Sequence, residues 1–341
     1  MERTYRICHV ITRMIVGGAQ ENTLLTVRGL REKGHEVLLV TGPSAGPEGR
    51  LLERAGQAGR PVRTEPALVR ELRPWTDARA YRNLTRLFRE QQFDIVHTHS
   101  SKAGILGRAA AAHANVPLIV HTVHGQPFHR YERWWRNRLY RAAERWAARR
   151  CHRIFAVAQA MVEQCAEANI APRNKYRVVY SGMEMKPFLD AQPDEELRRR
   201  LGIPADAVVV GKIARLFELK GHRYLLDAAP DIAAACPNVR FLLVGDGILR
   251  PELEARLETM GLADRFVFAG LVSPAEIPRY TALMDLLVHL SLREGLPRTV
   301  VQALATGIPA VAFRLDGTPE VVLEGRTGHR CPPEDVAAVS R

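Results

Sequence analysis

The chain has 341 residues, enough for two ordinary α/β cores and too many for one, and its 46% hydrophobic share is globular rather than disordered. It contains no run of about 18 apolar residues, which excludes a helix that spans a membrane. The net charge of +12 is uneven: residues 1–190 hold 31 Lys and Arg against 17 Asp and Glu, the remainder 18 against 20. A basic front half suits an anionic partner, with simple solubility as the bland alternative.

The opening "MERTYRICHVITRM" lacks the basic, apolar and small-residue order of a signal peptide and reads as a first strand. Short apolar runs follow in order as strands: "RICHVIT", "HEVLLVTG", "FDIVHTHS", "PLIVHTVHG", "RIFAVAQ" and "YRVVYSG". Between them lie segments such as "AQENTLLTVRGLREKG", whose apolar residues recur at helical spacing before a terminal glycine. "SGMEMKPFLDAQPDEELRRRLGIPAD" reads as a linker plus a short charged helix. The alternation then restarts with "AVVVGKIA", "VRFLLVGDG", "RFVFAG", "DLLVHLS" and "PAVAFR". Strands this apolar, separated by helices, imply parallel sheets covered on both faces. The fold class is therefore α/β, with two doubly wound Rossmann-like domains over 1–185 and 186–341 that face a central cleft. Cys8, Cys151, Cys165, Cys236 and Cys331 are odd in number and scattered, which supports small buried thiols in a reducing cytosol rather than zinc or disulfides.

In such sheets, ligands bind at the carboxyl ends of strands. Arg215 and Lys220 flank the loop after the first strand of the rear half, and two cations there suit a diphosphate. The stretch "SLREGLPRTVVQALATG" predicts a helix opening at Pro297, so that the amides of Arg298 and Thr299 point out of its N-terminus. Gln302 lies four residues beyond Arg298, on the same face. Glu294, just before the turn, would accept hydrogen bonds from hydroxyls; alone it is also an ordinary carboxylate near a helix N-terminus. In the front half Gly17 and Gly18 form a tight strand-to-helix turn that permits close approach of a phosphate or acceptor. Neither Gly17 nor Gly245 opens a full GxGxxG, and no Walker pattern occurs. His124, at a strand end before Gly125, is a candidate partner for a sugar hydroxyl or a developing charge. His97 and His99 are read as alternating along their strand, so that at most one faces the site, and both are set aside.

These segments, in this order and spacing, resemble the retaining glycosyltransferases of family 4, which have the GT-B architecture. "GGAQENTLLTVRGLREKGHEVLLVTG", "VHTVHG", "ARLFELKGH", "FLLVGDGILRPELE" and "FAGLVSPAEIPRYTALMDLLVHLSLREGLP" carry the likeness across essentially the whole chain. The resemblance implies a nucleotide-sugar donor, with a UDP-sugar favoured, and a glycan or lipid-linked acceptor in surface polysaccharide or glycolipid synthesis. It assigns the diphosphate to Arg215 and Lys220, the donor sugar to Glu294 and His124, and the ribose to position 302. Gly17, Gly18, Gly245, Leu271, Leu296, Arg298, Thr299 and Gln302 form the implied donor-binding set. The family's second glutamate is Gln302 here, which keeps the hydrogen bonds and loses the charge. A catalytically weak or inactive nucleotide-sugar-binding protein is the alternative that this substitution raises.

Transfer on one face of the sugar, with the leaving phosphate helping to deprotonate the acceptor, needs no protein nucleophile. Cations and helix-end amides would stabilise the departing diphosphate. The absence of an Asp-x-Asp motif leads to the expectation of no metal and no further cofactor, and removal of Arg215 or Lys220 is expected to affect turnover far more than folding. "HRYERWWRNRLYRAAERWAARRCHR", residues 129–153, reads as a basic helix with three tryptophans. It either lies on an anionic membrane, making the protein cytoplasmic and peripheral at the inner face, or packs its aromatic stripe on the sheet. Nucleic-acid binding is not expected, for want of a motif. The chain stops a few residues into a helix begun at "PPEDVAAVSR", where the family's members usually continue, so the second domain is expected to be shortened at that end.

Overall fold

A computed structural model describes residues 3–43 and 62–341. The chain divides into two compact units, Met1–Met183 and Glu184–Arg341. The front unit is built on β1 (Arg6–Ile11), β2 (Glu36–Thr41), β3 (Val62–Thr64), β4 (Ile95–His99), β5 (Leu118–Val123), β6 (Arg153–Ala156) and β7 (Tyr176–Val178). These strands form one sheet in the order β3-β2-β1-β4-β5-β6-β7, and every pairing is parallel. The strand order reverses between β1 and β4, so their carboxyl ends flank the natural ligand crevice of such a sheet. Helices Gly18–Glu32 and Ser101–His113 both start there.

The rear unit has β8 (Val208–Ile213), β9 (Val239–Val244), β10 (Phe266–Gly270), β11 (Leu286–His289), β12 (Ala310–Phe313) and β13 (Gly328–Cys331). They are ordered β10-β9-β8-β11-β12-β13, again all parallel. The reversal falls between β8 and β11, which places the loops after Ile213 and after His289 side by side. Two apolar layers hold this sheet. Phe241, Leu243, Val288 and Phe313 face one way with Leu225 and Leu226, while Val209, Leu242, Leu287 and Ala312 face the other with Val300 and Ala303. Each of the larger side chains contributes on the order of 1.5–3 kcal/mol through burial.

The predicted strands are present, with two additions that the apolar pattern did not mark. β3, "VRT", and β13, "GHRC", are short sheet edges with little apolar content. The linker holds helices Lys186–Leu189 and Glu195–Arg200; the Asp194 side chain accepts from Leu197 N–H to cap the second. The basic helix is shorter than its sequence pattern, Trp134–Ala148. Of its aromatic residues only Tyr140 packs against the core: Trp134 is 73% exposed, and Trp135, Leu139 and Trp146 are also exposed. The aromatic-stripe reading is corrected on this point, because the buried positions of that helix are Glu144, Ala147 and Ala148. No helix among the described residues is long and apolar enough to cross a membrane.

Candidate active site

In the rear unit the loop after β8 is tied to the loop after β9. Leu216 N–H donates to Asp246 O at 3.0 Å, and Leu249 N–H donates to Leu216 O at 3.1 Å. Gly245 sits between them at φ 136°, and a Cβ there would lie 2.1 Å from Ala214 O. Only glycine fits that conformation and that approach. Gly221, at φ 69°, starts the helix His222–Ala235, and its missing side chain lets Leu290 O come close. Leu292 N–H then donates to Leu219 O at 2.8 Å. This stitching sets Lys220 opposite the loop after β11.

Lys220 Nζ reaches Glu294 Oε1 at 2.6 Å, with the two side chains 28% and 18% exposed. Glu294 is held from behind, where its N–H donates to Asp316 Oδ2 at 2.6 Å and Gly317 N–H donates to Gly295 O. Burial by itself would raise the Glu294 carboxyl. Lys220, and after it His289, outweigh that and bring it down to about 2. His289 lies with Nε2 3.5 Å from Glu294 Oε1 and with Nδ1 3.3 Å from Thr299 Oγ1. Burial keeps His289 neutral, down to about 4. Beneath the pair lies Lys212 on β8, 2% exposed, pushed down to about 7 by burial and then by the like charge of Lys220. The rear site is thus an ionised carboxylate paired with Lys220, with a neutral His289 beside it and beneath it Lys212, whose charge burial weakens; the Lys220 ammonium is the group placed to meet a further anion.

The helix after Glu294 runs Arg298–Ala305, with Pro297 as its cap rather than its first residue. The predicted start shifts by one position, because Pro297 has ψ 86°, outside the helical range. Arg298, Thr299 and Gln302 lie on this helix, all part-buried. Leu296 is buried beside its start, and Leu271, after β10, is exposed. Arg215 is exposed, with its guanidinium 4.9 Å from the Phe217 ring centre.

In the front unit, Gly17 caps the helix Gly18–Glu32 and Glu21 N–H donates to Gly17 O at 3.0 Å. Ala19, in the first turn of that helix, lines a cavity of about 240 Å³ together with Ser100, Ser101, Thr122, His124 and Gly125. Ser100 takes φ 59°, ψ 159°, a conformation costing about 1–3 kcal/mol for a non-glycine residue, and shares a 2.8 Å hydrogen bond with Thr12 Oγ1. Behind His124 stands a row of histidines. His99 Nδ1 lies 3.0 Å from His124 Nε2, and His9 Nδ1 lies 2.9 Å from His99 Nε2.

Setting His97 and His99 aside on the ground of alternation was wrong. Residues two apart on a strand share a face, and the two ring centres lie 4.2 Å apart, tilted by 32°, with His9 stacked alongside His99. His97 is fixed separately by Thr122 Oγ1 at 2.7 Å. Ligand atoms of His9, His97 and His99 lie within 4.8 Å of one another, close enough for a metal ion in distance alone. His9 and His99, however, face each other as a hydrogen-bonding pair, and His97 Nε2 turns to Thr122.

Sequence reasoning missed Lys212, His289, Asp316 and His9. For the first two the signal was present: one lysine in "VVVGKIA" and one histidine in "DLLVHLS" interrupt otherwise apolar strands. His9 interrupts "RICHVIT" in the same way, while Asp316 carried no such mark.

Comparison with known proteins agrees with this architecture. Residues 16–186 match the profile described as Glycosyltransferase Family 4, and residues 205–341 match Glycosyl transferases group 1. An Escherichia coli UDP-Gal:alpha-D-GlcNAc-diphosphoundecaprenol alpha-1,3-galactosyltransferase is 30% identical, over 92% of this chain and 80% of its own length. A Streptomyces fradiae 2-deoxystreptamine N-acetyl-D-glucosaminyltransferase is also 30% identical, over 96% and 81%. The fold is shared with Anabaena Alr3699/HepE solved with UDP-glucose, at TM-score 0.80 and 23% identity over 98% of this chain and 88% of that one. The chain belongs to glycosyltransferase family 4: it is a GT-B hexosyltransferase that works from a nucleotide-sugar donor.

Proposed function

We propose that the protein is a retaining transferase that moves a hexose from a UDP-sugar to a glycan or lipid-linked acceptor during surface polysaccharide or glycolipid assembly. The observation that carries the reading is the Lys220–Glu294 pair, set among Lys212, His289 and the N-terminus of helix Arg298–Ala305. In this reading Arg215 and Lys220 take the diphosphate as its charge develops, and the amides of Arg298 and Thr299 assist them. Glu294 accepts from sugar hydroxyls, Gln302 holds the ribose, and Leu271 and Leu296 flank the nucleotide. Gly17, Gly18 and His124 serve the phosphate, acceptor and transferred sugar from the front unit. The departing phosphate takes the acceptor proton, so no protein nucleophile and no metal are required. One relative named as acting on UDP-Gal with a GlcNAc-diphosphoundecaprenol acceptor, and a fold relative solved with UDP-glucose, support the choice of UDP and of a lipid-linked acceptor.

The test is a panel of UDP-, GDP- and ADP-sugars with a polyprenyl-diphosphate sugar acceptor, read by nucleotide release and by the anomeric configuration of the product. An α-linked product from an α-linked UDP-sugar is expected; an inverted product refutes retention, and exclusive use of GDP- or ADP-sugars refutes the donor. The basic helix supports contact with an anionic membrane, since residues 129–153 hold nine arginines against two glutamates and its tryptophans are exposed. Co-sedimentation with anionic but not zwitterionic vesicles, weakened by Trp134→Ala with Trp135→Ala, is expected. Equal partition into both kinds of vesicle removes the membrane from the proposal.

A further inference from the structure

The histidine row has a direction, and its buried end sets it. A neutral imidazole carries one N–H and one bare nitrogen, so each histidine in a chain that donates at one nitrogen must accept at the other. Burial keeps His9 and His99 neutral: His9 is pushed down to about 3, and His99 lies well below its ordinary value. Two arrangements remain for His9–His99–His124. In the inward one, His124 donates to His99, His99 donates to His9, and His9 is left with an N–H at Nε2. In the outward one, His9 donates from Nδ1, His99 passes the donation on, and His9 Nε2 is bare.

His9 is fully buried, and Nε2 has no hydrogen-bond partner. An orphaned buried N–H is the rarer and costlier defect. That selects the outward arrangement. Neighbouring contacts prevent the rings from turning to escape it. His9 and His99 stack within 13° of parallel, His97 lies over His99 at 4.2 Å, and the register pairs His9 with His97 and His99 with Thr122.

We infer that His9 is a positioning residue: it donates Nδ1–H to His99 Nε2, His99 donates Nδ1–H to His124 Nε2, and His124 is thereby held with its proton on Nδ1. His124 then presents a hydrogen-bond donor, not a base, to whatever meets its Nδ1 edge. That chemistry suits a sugar hydroxyl oxygen or a developing negative charge. This consequence rests on the proposed contact between His124 and the transferred sugar, whereas the tautomer itself does not.

The experiment is long-range ¹⁵N–¹H correlation on histidine-labelled protein without any donor, with the His124 signals assigned by their loss in His124→Gln. The expected spectrum shows His124 protonated on Nδ1 and bare on Nε2. His9→Leu is expected to release this preference into a mixture and to lower kcat/KM about tenfold, as removal of an outer partner does elsewhere. His9→Asn, whose amide N–H occupies the Nδ1 place, is expected to restore both. A wild-type His124 protonated on Nε2, a His9→Leu spectrum unchanged from wild type, or a stoichiometric metal ion bound by the row overturns the inference. If His9→Leu does not fold, the wild-type and His9→Asn spectra decide. Failure of sugar transfer with the expected tautomer intact would count against the proposed function and leave the relay standing.

Discussion

Replacing Lys220 by Met tests how the rear site is held, because it removes the charge and keeps most of the stem. The carboxyl of Glu294 is brought from an ordinary 4.5 down to about 2 in the folded chain, with Lys220 as the main attractive partner against burial. At about 1.4 kcal/mol per unit, the ionised, partnered carboxylate contributes on the order of 3 kcal/mol. Its folded pKa is depressed, so this contribution is present above the unfolded value near 4.5 and is lost as pH falls from there toward 2. Lys220→Met therefore destabilises the rear unit by about 2–4 kcal/mol at pH 7, with the gap to wild type closing below about pH 4. Glu294→Gln costs less, about 1 kcal/mol, since Lys220 is the more exposed partner and can turn to water. The double variant recovers part of the loss, with a coupling of about 2 kcal/mol. Tryptophan fluorescence cannot read this, because all four tryptophans precede residue 150. Hydrogen-exchange protection of the β8 and β11 amides reports the rear unit directly. Additive single and double variants, or a loss at pH 7 that persists unchanged to pH 3, refute the reasoning. The sequence points to turnover as the main loss on removal of Lys220; the pair adds the expectation that Lys220→Met costs folding stability as well.

Arg215 differs, being exposed at the loop. Arg215→Ala is expected to leave unfolding within about 0.5 kcal/mol of wild type while lowering turnover about a hundredfold or more, and a variant that transfers normally removes it from the site. Gln302→Glu restores a charge-assisted bond to a hydroxyl, so calorimetric nucleotide affinity should rise severalfold; weaker binding would mean that position 302 does not meet the ribose. Gly245→Ala places a Cβ 2.1 Å from Ala214 O at a φ of 136°, and a loss of about 2–4 kcal/mol in the rear unit is expected. Wild-type stability of that variant would show that the loop gives way without cost.

The fold was legible because buried parallel strands must be apolar on both faces, and eleven of the strands announce themselves as short, mainly apolar runs. β3 and β13 escaped because edge strands need not be apolar. In the candidate site, Lys220 and Glu294 could be named from their places at strand ends, but not their 2.6 Å contact, which depends on Gly221 admitting Leu290 and on Leu219 bonding to Leu292. The histidines were misjudged for a different reason. "HTH" has both histidines on one face, and the partner that explains them, His9, lies 90 residues away on the neighbouring strand. Register, not local pattern, makes that cluster.

The two units share one physical habit. Each places buried polar groups in the middle and later part of its central strands. His9 is fourth in β1, His99 last in β4, Lys212 fifth of six in β8 and His289 last in β11. Such groups cost stability wherever they are buried without full pairing, and His9 Nε2 and His289 Nε2 have no hydrogen-bond partner. A core built for stability alone would carry Val or Leu at these positions. Their concentration under the strand ends that flank each sheet's reversal point is best explained by work done at the loops above. The means differ between the units. The front one uses neutral rings whose protons are ordered, and the rear one uses an ion pair with a buried lysine beneath it. Substituting Lys212→Met separates these effects cleanly. With a buried cation removed, the rear unit should gain stability while nucleotide diphosphate binds less tightly; gain of both would show that Lys212 is misplaced core rather than part of the anion site.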